Sequence, residues 1–570
     1  MNFIDFDENK CDSCYKCLRI CPTKAISFNK DKRSIIDDLC IKCGHCQESC
    51  PQGALKIHSS MSIVEKLIDE GEEVVVSLAP SFAGAFGLDD PLRVVGALKD
   101  MGVKFVEETA IGAGMVAQEY DRYIDESDDN VFITSCCPSA YYLIEQHYPY
   151  LTSMIIPIVS PMIAHGRSIK ARYGQEVKVV FMGPCLAKMA EAEEVEGVID
   201  CVITFDEFYQ RQREMSKSLR DYAPEPFDAV SYKRGKAFPM GGSLERTSQS
   251  GKILHNIRVD GADACKNILQ EIRSGSISNC CVEINICEGS CMNGPDMPKN
   301  HMGRFARELY MQKYINASPS IESEAIKIDT PIMARTFSDR QLKEAEPNIQ
   351  MVRAVMNKMG KYSEEDELNC GACGYSTCYD KAKAVFKGYS EIDTCMPYLR
   401  EKAVSMQNIM IENSPNAVIL IDEKLQIKEV NPSFSRMLNK DGLPFEDMPI
   451  KLFVDHPIFD QVKEEQTSIQ NRKIYIEDQQ SYFLANVVYM EDNKTILAFL
   501  TDITIEEQSK QEFVRVKEET LRKTQEVIDK QMRVAQEIAS LLGETTAETK
   551  MSLKSLNELV MNDGGTSNGV

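Results

Sequence analysis

Residues 283–295 read EINICEGSCMNGP, an apolar–polar alternation running into a glycine-bearing loop that carries Cys287 and Cys291. The alternation reads as a strand, and two thiols at this spacing suit either a disulfide or a metal cluster. The same pattern recurs upstream: NVFITSCCP (130–138) and VKVVFMGPC (177–185) are apolar runs ending in thiols, and EEVVVSLAP (72–80) ends in a loop of small residues. Longer helical patterns such as DPLRVVGALKDMG (90–102) separate them. Strands alternating with helices predict an α/β region with parallel sheets over 61–334, and such folds place their sites in the loops at the carboxyl ends of the strands.

Composition decides between the two uses of the thiols. The 570 residues are too many for one core, so a multidomain chain of mixed α/β and α+β class is expected. Twenty-one cysteines without an export signal point to metal ligation, because the cytosol keeps structural disulfides rare, and cytoplasmic localisation is expected. Seven histidines supply mixed Cys/His zinc sites poorly. A net charge of -22 argues against nucleic acid, and no apolar run approaches the roughly 20 residues of a membrane span.

CDSCYKCLRICP (11–22) and CIKCGHCQESCP (40–51) are two copies of one run, Cys-x-x-Cys-x-x-Cys-x-x-x-Cys-Pro. This is the bacterial ferredoxin spacing, in which three thiolates hold one cubane and the fourth reaches the other. Residues 1–60 are therefore expected to be a ferredoxin-like module with two 4Fe-4S clusters, one on Cys11, Cys14, Cys17 and Cys50 and one on Cys40, Cys43, Cys46 and Cys21. Residues 335–404 are helical and charged and contain CGACGYSTC (370–378) with Cys395 beyond it. Cys370, Cys373, Cys378 and Cys395 fit a further 4Fe-4S cluster better than zinc, which the spacing alone leaves open.

The loops TSCCP (134–138), GPCLAKMAE (183–191) and CEGSC (287–291) occur in the order of the three signature segments of FeFe hydrogenases, and residues 1–330 resemble that family. The resemblance implies an α/β hydrogenase catalytic domain in which Cys137, Cys185, Cys287 and Cys291 hold a cubane. Cys291 would bridge to a diiron unit bearing CO, CN and a dithiolate. It further implies that Lys188 and the loop Ala79, Pro80 and Ser81 surround the cyanides, and that Cys136 passes protons to the dithiolate. Matched by position, Glu108 would be an acid of the proton route, with Ile111 in place of its second acid and Ile156 in place of a serine. Gly183, Asn285, Ala140 and Met162 depart from the family's residues around the cluster. Dihydrogen, protons, a redox carrier such as ferredoxin and hydrogenase maturation proteins are the partners so implied. Cys201, Cys265, Cys280 and Cys281 fall outside these sets and read as buried, inert thiols.

Residues 405–504 resemble a PAS sensor domain, with Asn413 to Pro415, Asp422, Asn431-Pro432 and the exit TDIT at the family's favoured places. Its ligand is unknown: the region has no cysteine for a flavin adduct, and its single histidine, His456, reads as a loop residue beside proline. Over 505–550, Val514, Leu521, Ile528, Ala535 and Leu542 recur every seven residues, with Lys517, Thr524, Gln531 and Ile538 between them. That is either a signalling coiled coil joining two copies as a homodimer through 505–542, or a helix lying on its own chain. Residues 551–570 read as a largely disordered tail. The layout resembles the sensory branch of the hydrogenase family: a low-turnover dihydrogen and redox sensor signalling through an unidentified partner protein. A fermentative ferredoxin-dependent hydrogenase with a regulatory tail, or a non-catalytic iron–sulfur scaffold, are the alternatives.

Overall fold

The doubled cysteine run folds as a doubled structure. In the computed structural model, which describes residues 4–29, 32–229, 233–242, 250–318, 333–439, 442–491, 494–542 and 546–562, the N-terminal module contains β1 (Ile4–Phe6), β2 (Ile26–Asn29), β3 (Lys32–Ile35) and β4 (Leu55–Ile57). β1 pairs antiparallel with β4, and β2 with β3. Helix α1 (Lys16–Ile20) follows the first cysteine loop and α2 (His45–Ser49) the second. Positive φ recurs at matching places, Ser13 and Tyr15 in one loop and Lys42 and Gly44 in the other. Such left-handed residues turn successive N–H groups to one side, as a loop around an anionic cluster requires. The backbone N–H of Ala25 donates to Cys21 Sγ (3.3 Å) and that of Ala54 to Cys50 Sγ (3.4 Å), so the repeat extends to the bonds on sulfur.

The chain divides into two compact units, Met1–Leu399 and Arg400–Val570. The α/β region of the first holds β5 (Val74–Leu78), β6 (Phe105–Glu108), β7 (Val131–Ile133), β8 (Lys178–Gly183), β9 (Cys201–Thr204), β10 (His255–Asp260) and β11 (Cys280–Asn285). Two parallel sheets form, ordered β6-β5-β8-β9 and β10-β11-β7. Every residue of β5 is buried, which is why it reads as an unbroken apolar run rather than an alternation. The helices that bear on the site are α3 (Ala110–Glu126), α4 (Pro138–His147), α5 (Pro161–Tyr173) and α6 (Ala187–Glu194). Where α3 meets α5, a Cβ on Gly112 would lie 2.2 Å from the Pro161 carbonyl oxygen, so glycine sets how closely these helices approach.

The segments 1–60 and 61–334 and nearly all of 335–404 pack together in the first unit. Across 334/335, Arg335 reaches back to Glu191 and Glu194, and Arg340 to Glu145 and Glu194. The segment with Cys370 to Cys395 sits on the ferredoxin-like module: Arg19 donates to the Ala372 carbonyl (3.2 Å), and a Cβ on Gly374 would meet Leu18 at 2.8 Å.

In the second unit, β12 (Ala417–Ile421), β13 (Ile427–Val430), β14 (Ile469–Ile476), β15 (Ser481–Met490) and β16 (Thr495–Asp502) form one antiparallel sheet ordered β13-β12-β16-β15-β14. Its core includes Phe434, Phe453, Phe459 and Phe483. Asn431 is the hub: Oδ1 accepts from the N–H groups of Val418 (2.9 Å) and Phe434 (3.1 Å), while Nδ2 donates to the carbonyls of Ile411 (3.0 Å) and Asn416 (2.9 Å). His456 is half-buried, and its Nδ1 accepts from the Ile458 N–H, so it caps the following helix.

The C-terminal helix differs from expectation. α7 (Thr504–Leu542) is followed by α8 (Thr546–Asn562), a helix where a tail from 551 was expected; residues 563–570 lie outside the described residues. Asn557 Nδ2 donates to Gln525 Oε1 (2.6 Å), so α8 folds back on α7. The half-buried stripe is Leu521, Gln525, Ile528, Met532 and Ala535, while the expected seam positions Lys517, Thr524 and Gln531 are exposed. A helix paired within its own chain keeps the 3.6-residue period, which moves the second row by one residue.

Asn431→Ala removes four buried hydrogen bonds and should lower the stability of the second unit by about 2 kcal/mol or more. Hydrogen exchange of the amides of β12 and β16 in the full chain measures it; unchanged protection would contradict the hub role.

Candidate metal centre

The loops that follow β5, β6, β7, β8 and β11 meet at one cavity. Its walls include Ala79, Pro80 and Ser81 after β5, Thr109 after β6, Cys136 and Cys137 after β7, and Cys185 after β8. Lys188, Asn285 and Cys291 complete its polar lining, and Phe181, Met162 and Phe238 its apolar part. Three helices begin here: Cys137 is the N-cap of α4, Pro161 opens α5, and α6 starts two residues after Cys185. Their positive ends favour an anionic occupant.

The thiols of Cys137, Cys185, Cys287 and Cys291 lie close enough to act on one another, three on half-buried residues and Cys291 on an exposed one. Burial of the sulfur raises the pKa of each above the ordinary thiol range, Cys185 to about 11, and neighbouring sulfurs raise those of Cys185, Cys287 and Cys291 further. Such a set ionises readily only against positive charge, which thiolate-bound iron supplies. Two hydroxyls strengthen the fit: Ser81 and Ser290 are each 1% exposed, and their Oγ atoms have no protein partner among the described residues. Ser81 lines the cavity and Ser290 adjoins Cys291, so both are free to donate to a bound group.

Lys188 is held rather than loose. Its Nζ donates to Glu191 Oε2 (2.7 Å) and to the Cys136 carbonyl (3.4 Å). Fully buried Glu191 also accepts from Ser160 Oγ (2.8 Å) and Arg335 Nη1 (3.1 Å). The i, i+3 spacing of Lys188 and Glu191 was visible in the sequence, but Arg335 is 144 residues from Glu191 and only the fold joins them.

Glu108 is not where the proton-route assignment put it. It is absent from the cavity lining, where its neighbour Thr109 stands, and it faces Lys236 (3.4 Å) and Tyr314. The side chain that meets Cys136 is Tyr120, with OH and Sγ 3.2 Å apart. Tyr120 lies on α3, nine residues beyond Ile111. The Tyr120 OH also accepts from the Ser135 N–H (2.8 Å) and lies 2.9 Å from Ser135 Oγ, which donates to the Ile158 carbonyl (2.5 Å). Burial pushes the Cys136 thiol up to about 12, against the hydrogen bond from Tyr120 and the Lys188 charge, which lower it. Ile111 and Ile156 are both buried.

Gly183 also has a structural reason. A Cβ there would lie 2.7 Å from the Phe181 ring, which occupies the wall instead. Cys201, Cys265, Cys280 and Cys281 are buried away from the cavity, and Cys265 Sγ donates to the Asn285 carbonyl (3.3 Å).

The cysteine sets are joined by close packing. Cys43 raises the pKa of Cys287, and a Cβ on Gly44 would meet Leu186 at 2.6 Å and Pro295 at 2.9 Å, placing the second ferredoxin loop against the Cys185 and Cys291 loops. Cys370, Cys373, Cys378 and Cys395 line a separate cavity with Lys361 and Lys381. Lys381 is fully buried and donates to Ser390 and Thr394; burial lowers its pKa to about 8, while Cys373 and Cys395 pull it back up. A buried cation beside four thiols again suits an anionic cluster.

Comparison with known proteins agrees with this chemistry. Residues 72–295 match the model of the iron only hydrogenase large subunit, C-terminal domain. This region is a hydrogenase-like domain. Residues 3–63 match a 4Fe-4S dicluster domain, 366–397 a model for an Fe-S cluster, and 406–473 a PAS domain. The chain is thus an iron–sulfur protein with a hydrogenase-family domain and a PAS domain, and the match at 366–397 favours iron–sulfur over zinc there. It is 25% identical over 377 residues to the NADP-reducing hydrogenase subunit HndD of Solidesulfovibrio fructosivorans, covering 52% of this chain and 64% of that protein. It is 25% identical over 434 residues to iron hydrogenase 1 of Clostridium pasteurianum, covering 63% of this chain and 73% of that one. It is also 23% identical over 364 residues to the cytosolic iron-sulfur assembly component 3 of Bos taurus, covering 49% and 76%. No helix among the described residues is long and apolar enough to cross a membrane.

Two variants test the site. Gly44→Val should disturb the docking of the ferredoxin loop on Leu186 and Pro295, costing about 1–3 kcal/mol and slowing electron transfer between the two cysteine sets, as followed by rapid-freeze EPR. Tyr120→Phe leaves the buried Ser135 N–H without its acceptor and should cost about 1–3 kcal/mol in urea unfolding. A wild-type midpoint would show that the hydroxyl is not held as described.

Proposed function

We propose that this chain is a dihydrogen-responsive redox sensor: a hydrogenase-family centre of low turnover that passes its redox state through iron–sulfur clusters toward a PAS domain. The observation that carries the reading is the cavity itself, where Cys136, Cys137, Cys185, Cys291, Lys188 and the 79–81 loop converge, while Tyr120 stands where an acid would have to meet Cys136. Bound there, a diiron unit would supply reversible cleavage of dihydrogen into protons and electrons.

In this reading Cys137, Cys185, Cys287 and Cys291 would hold the cubane, and Lys188, fixed by Glu191, and Ser81 would donate hydrogen bonds to anionic ligands of the bound group. Phe181, Met162 and Phe238 exclude water. Cys136 hands protons on slowly, because its neighbours Tyr120 and Ser135 lead to the Ile158 carbonyl, which cannot accept and re-donate a proton. The eight cysteines of the dicluster module would hold two 4Fe-4S clusters, and Cys370, Cys373, Cys378 and Cys395 a further one; such clusters would supply electron transfer, and Cys43 lies on the loop nearest Cys287. Each 1.4 kcal/mol added to the proton-transfer barrier costs about tenfold in rate, which suits a sensor and not bulk gas production.

The likeness to an iron-sulfur assembly component favours a second reading, a non-catalytic cluster protein. The dihydrogen oxidation rate of anaerobically matured protein, normalised to occupied diiron sites, separates the readings. A slow rate supports the sensor, a fast one an ordinary hydrogenase, and none the second reading. Tyr120→Glu together with Ile156→Ser should raise the rate about tenfold or more if proton delivery at Cys136 limits it; no gain would refute that account.

A further inference from the structure

Behind the cavity wall runs a second line of polar groups, separate from those around Cys136. The hydroxyl of Thr109, which lines the cavity, lies 2.7 Å from Ser77 Oγ, and Ser77 Oγ lies 2.8 Å from His165 Nδ1. His165 Nε2 is 3.1 Å from Glu107 Oε2, and Glu107 Oε1 accepts from Arg172 Nη1 (2.7 Å) and Tyr173 OH (2.7 Å). Ser77, His165 and Glu107 are completely buried, whereas the Arg172 side chain is 40% exposed. The line therefore joins the cavity to the surface.

Its construction follows from the fold. Ser77 on β5 and Glu107 on β6 are register partners, so their side chains leave the sheet together. His165, Arg172 and Tyr173 share one face of α5 at spacings of seven and eight, and Gly112 lets that helix lie close to α3. Burying an imidazole and a carboxylate at this depth is costly unless both are bonded, and here each ring nitrogen and each carboxylate oxygen has a partner.

The hydrogens have a direction. Burial works to raise the pKa of Glu107, but the bonds from His165 and Tyr173 and the Arg172 charge hold it below the usual range, so Glu107 is a carboxylate. His165, whose pKa burial lowers, is then neutral with its hydrogen on Nε2. Nδ1 must accept from Ser77, and the Ser77 oxygen in turn accepts from Thr109. From Thr109 to Glu107 every link points outward, in contrast to the Tyr120–Ser135 line, which stops at a backbone carbonyl, while Arg172 and Tyr173 donate to Glu107 from the solvent side.

We propose that Thr109, Ser77, His165 and Glu107 form a proton relay between the cavity and the surface at Arg172 and Tyr173, set to release protons from dihydrogen oxidation. This rests on the dihydrogen reading above. In one passage a proton taken up by Thr109 Oγ1 shifts the Thr109 hydrogen to Ser77, the Ser77 hydrogen to His165 Nδ1 and the Nε2 hydrogen to Glu107; the carboxyl then donates to the oxygen of half-buried Tyr173, whose own hydrogen passes to water. One proton enters and one leaves, and the electrons depart through the clusters. The links then rotate back before the next passage, and each dihydrogen requires two.

The test uses matured full-length protein. Infrared difference spectra, dihydrogen minus argon, should show the C=O band of a protonated carboxylic acid that disappears in Glu107→Gln. Ser77→Ala and His165→Gln should retain the CO and CN bands while dihydrogen oxidation falls about a hundredfold. Ser77→Ala removes one atom and guards against a folding defect. An unchanged rate in Ser77→Ala, or no band that depends on Glu107, would overturn the relay. If wild-type protein with CO and CN bands catalyses no dihydrogen–deuterium exchange, the dihydrogen reading and the relay fall together.

Discussion

A sulfur atom is hard to ionise when it is buried beside other sulfurs, and the first unit is arranged around that constraint. Burial raises the pKa values of Cys137, Cys185, Cys287 and Cys291, whose sulfurs lie close enough to act on one another. Without a positive charge among them, ionising the set would be prohibitive; with iron present, the same low-dielectric surroundings strengthen the bond between cluster and protein. The remaining features serve that exchange. Two parallel sheets deliver the loops, three helix N-termini face the same point, and Lys188 is fixed by Glu191, itself held by Ser160 and Arg335.

Glycine governs how the cysteine sets approach one another. Gly44, at φ 77°, leaves no room between the second ferredoxin loop and Leu186, and Gly374, at φ 94°, lies equally close to Leu18. Any side chain would push these surfaces apart, and electron transfer weakens with distance. The Cys370–Cys395 segment is therefore built into the redox unit rather than appended to it. Cys395 immediately precedes the helix Met396–Glu412, the stretch of chain that leads into the second unit, so a change of cluster charge arises at the start of that connection. Charge can act on the PAS domain only if the connection has two states that differ in their interaction with it.

Much of this was legible in the residues. The doubled run at 11–22 and 40–51 determines the ferredoxin-like module because its spacing is a direct record of geometry. The apolar runs ending in AP, TSCCP and GPC identified parallel strands with functional loops, since fully buried strands lose their alternation. Contacts across the chain were not legible. Glu108, at the end of β6, read as the proton acid from the order of the motifs alone, and nothing in the sequence singled out Tyr120, which the fold places on Cys136. The Ser77–His165–Glu107 line was invisible for the same reason, as its members come from two strands and a helix. At the C-terminus the heptad of Val514, Leu521 and Ile528 was read correctly as a helix, but the partner on its apolar stripe came from 546–562 in the same chain, where low hydrophobicity had argued for a tail.

The central claim is that the cavity at the ends of the two sheets holds a diiron centre that responds to dihydrogen. Infrared spectra of the full chain, matured anaerobically and recorded under argon and then under dihydrogen, test it most directly. The account predicts CO and CN bands that shift when dihydrogen is admitted and return under argon. The absence of such bands in protein with its other clusters in place, or bands indifferent to dihydrogen, would contradict it.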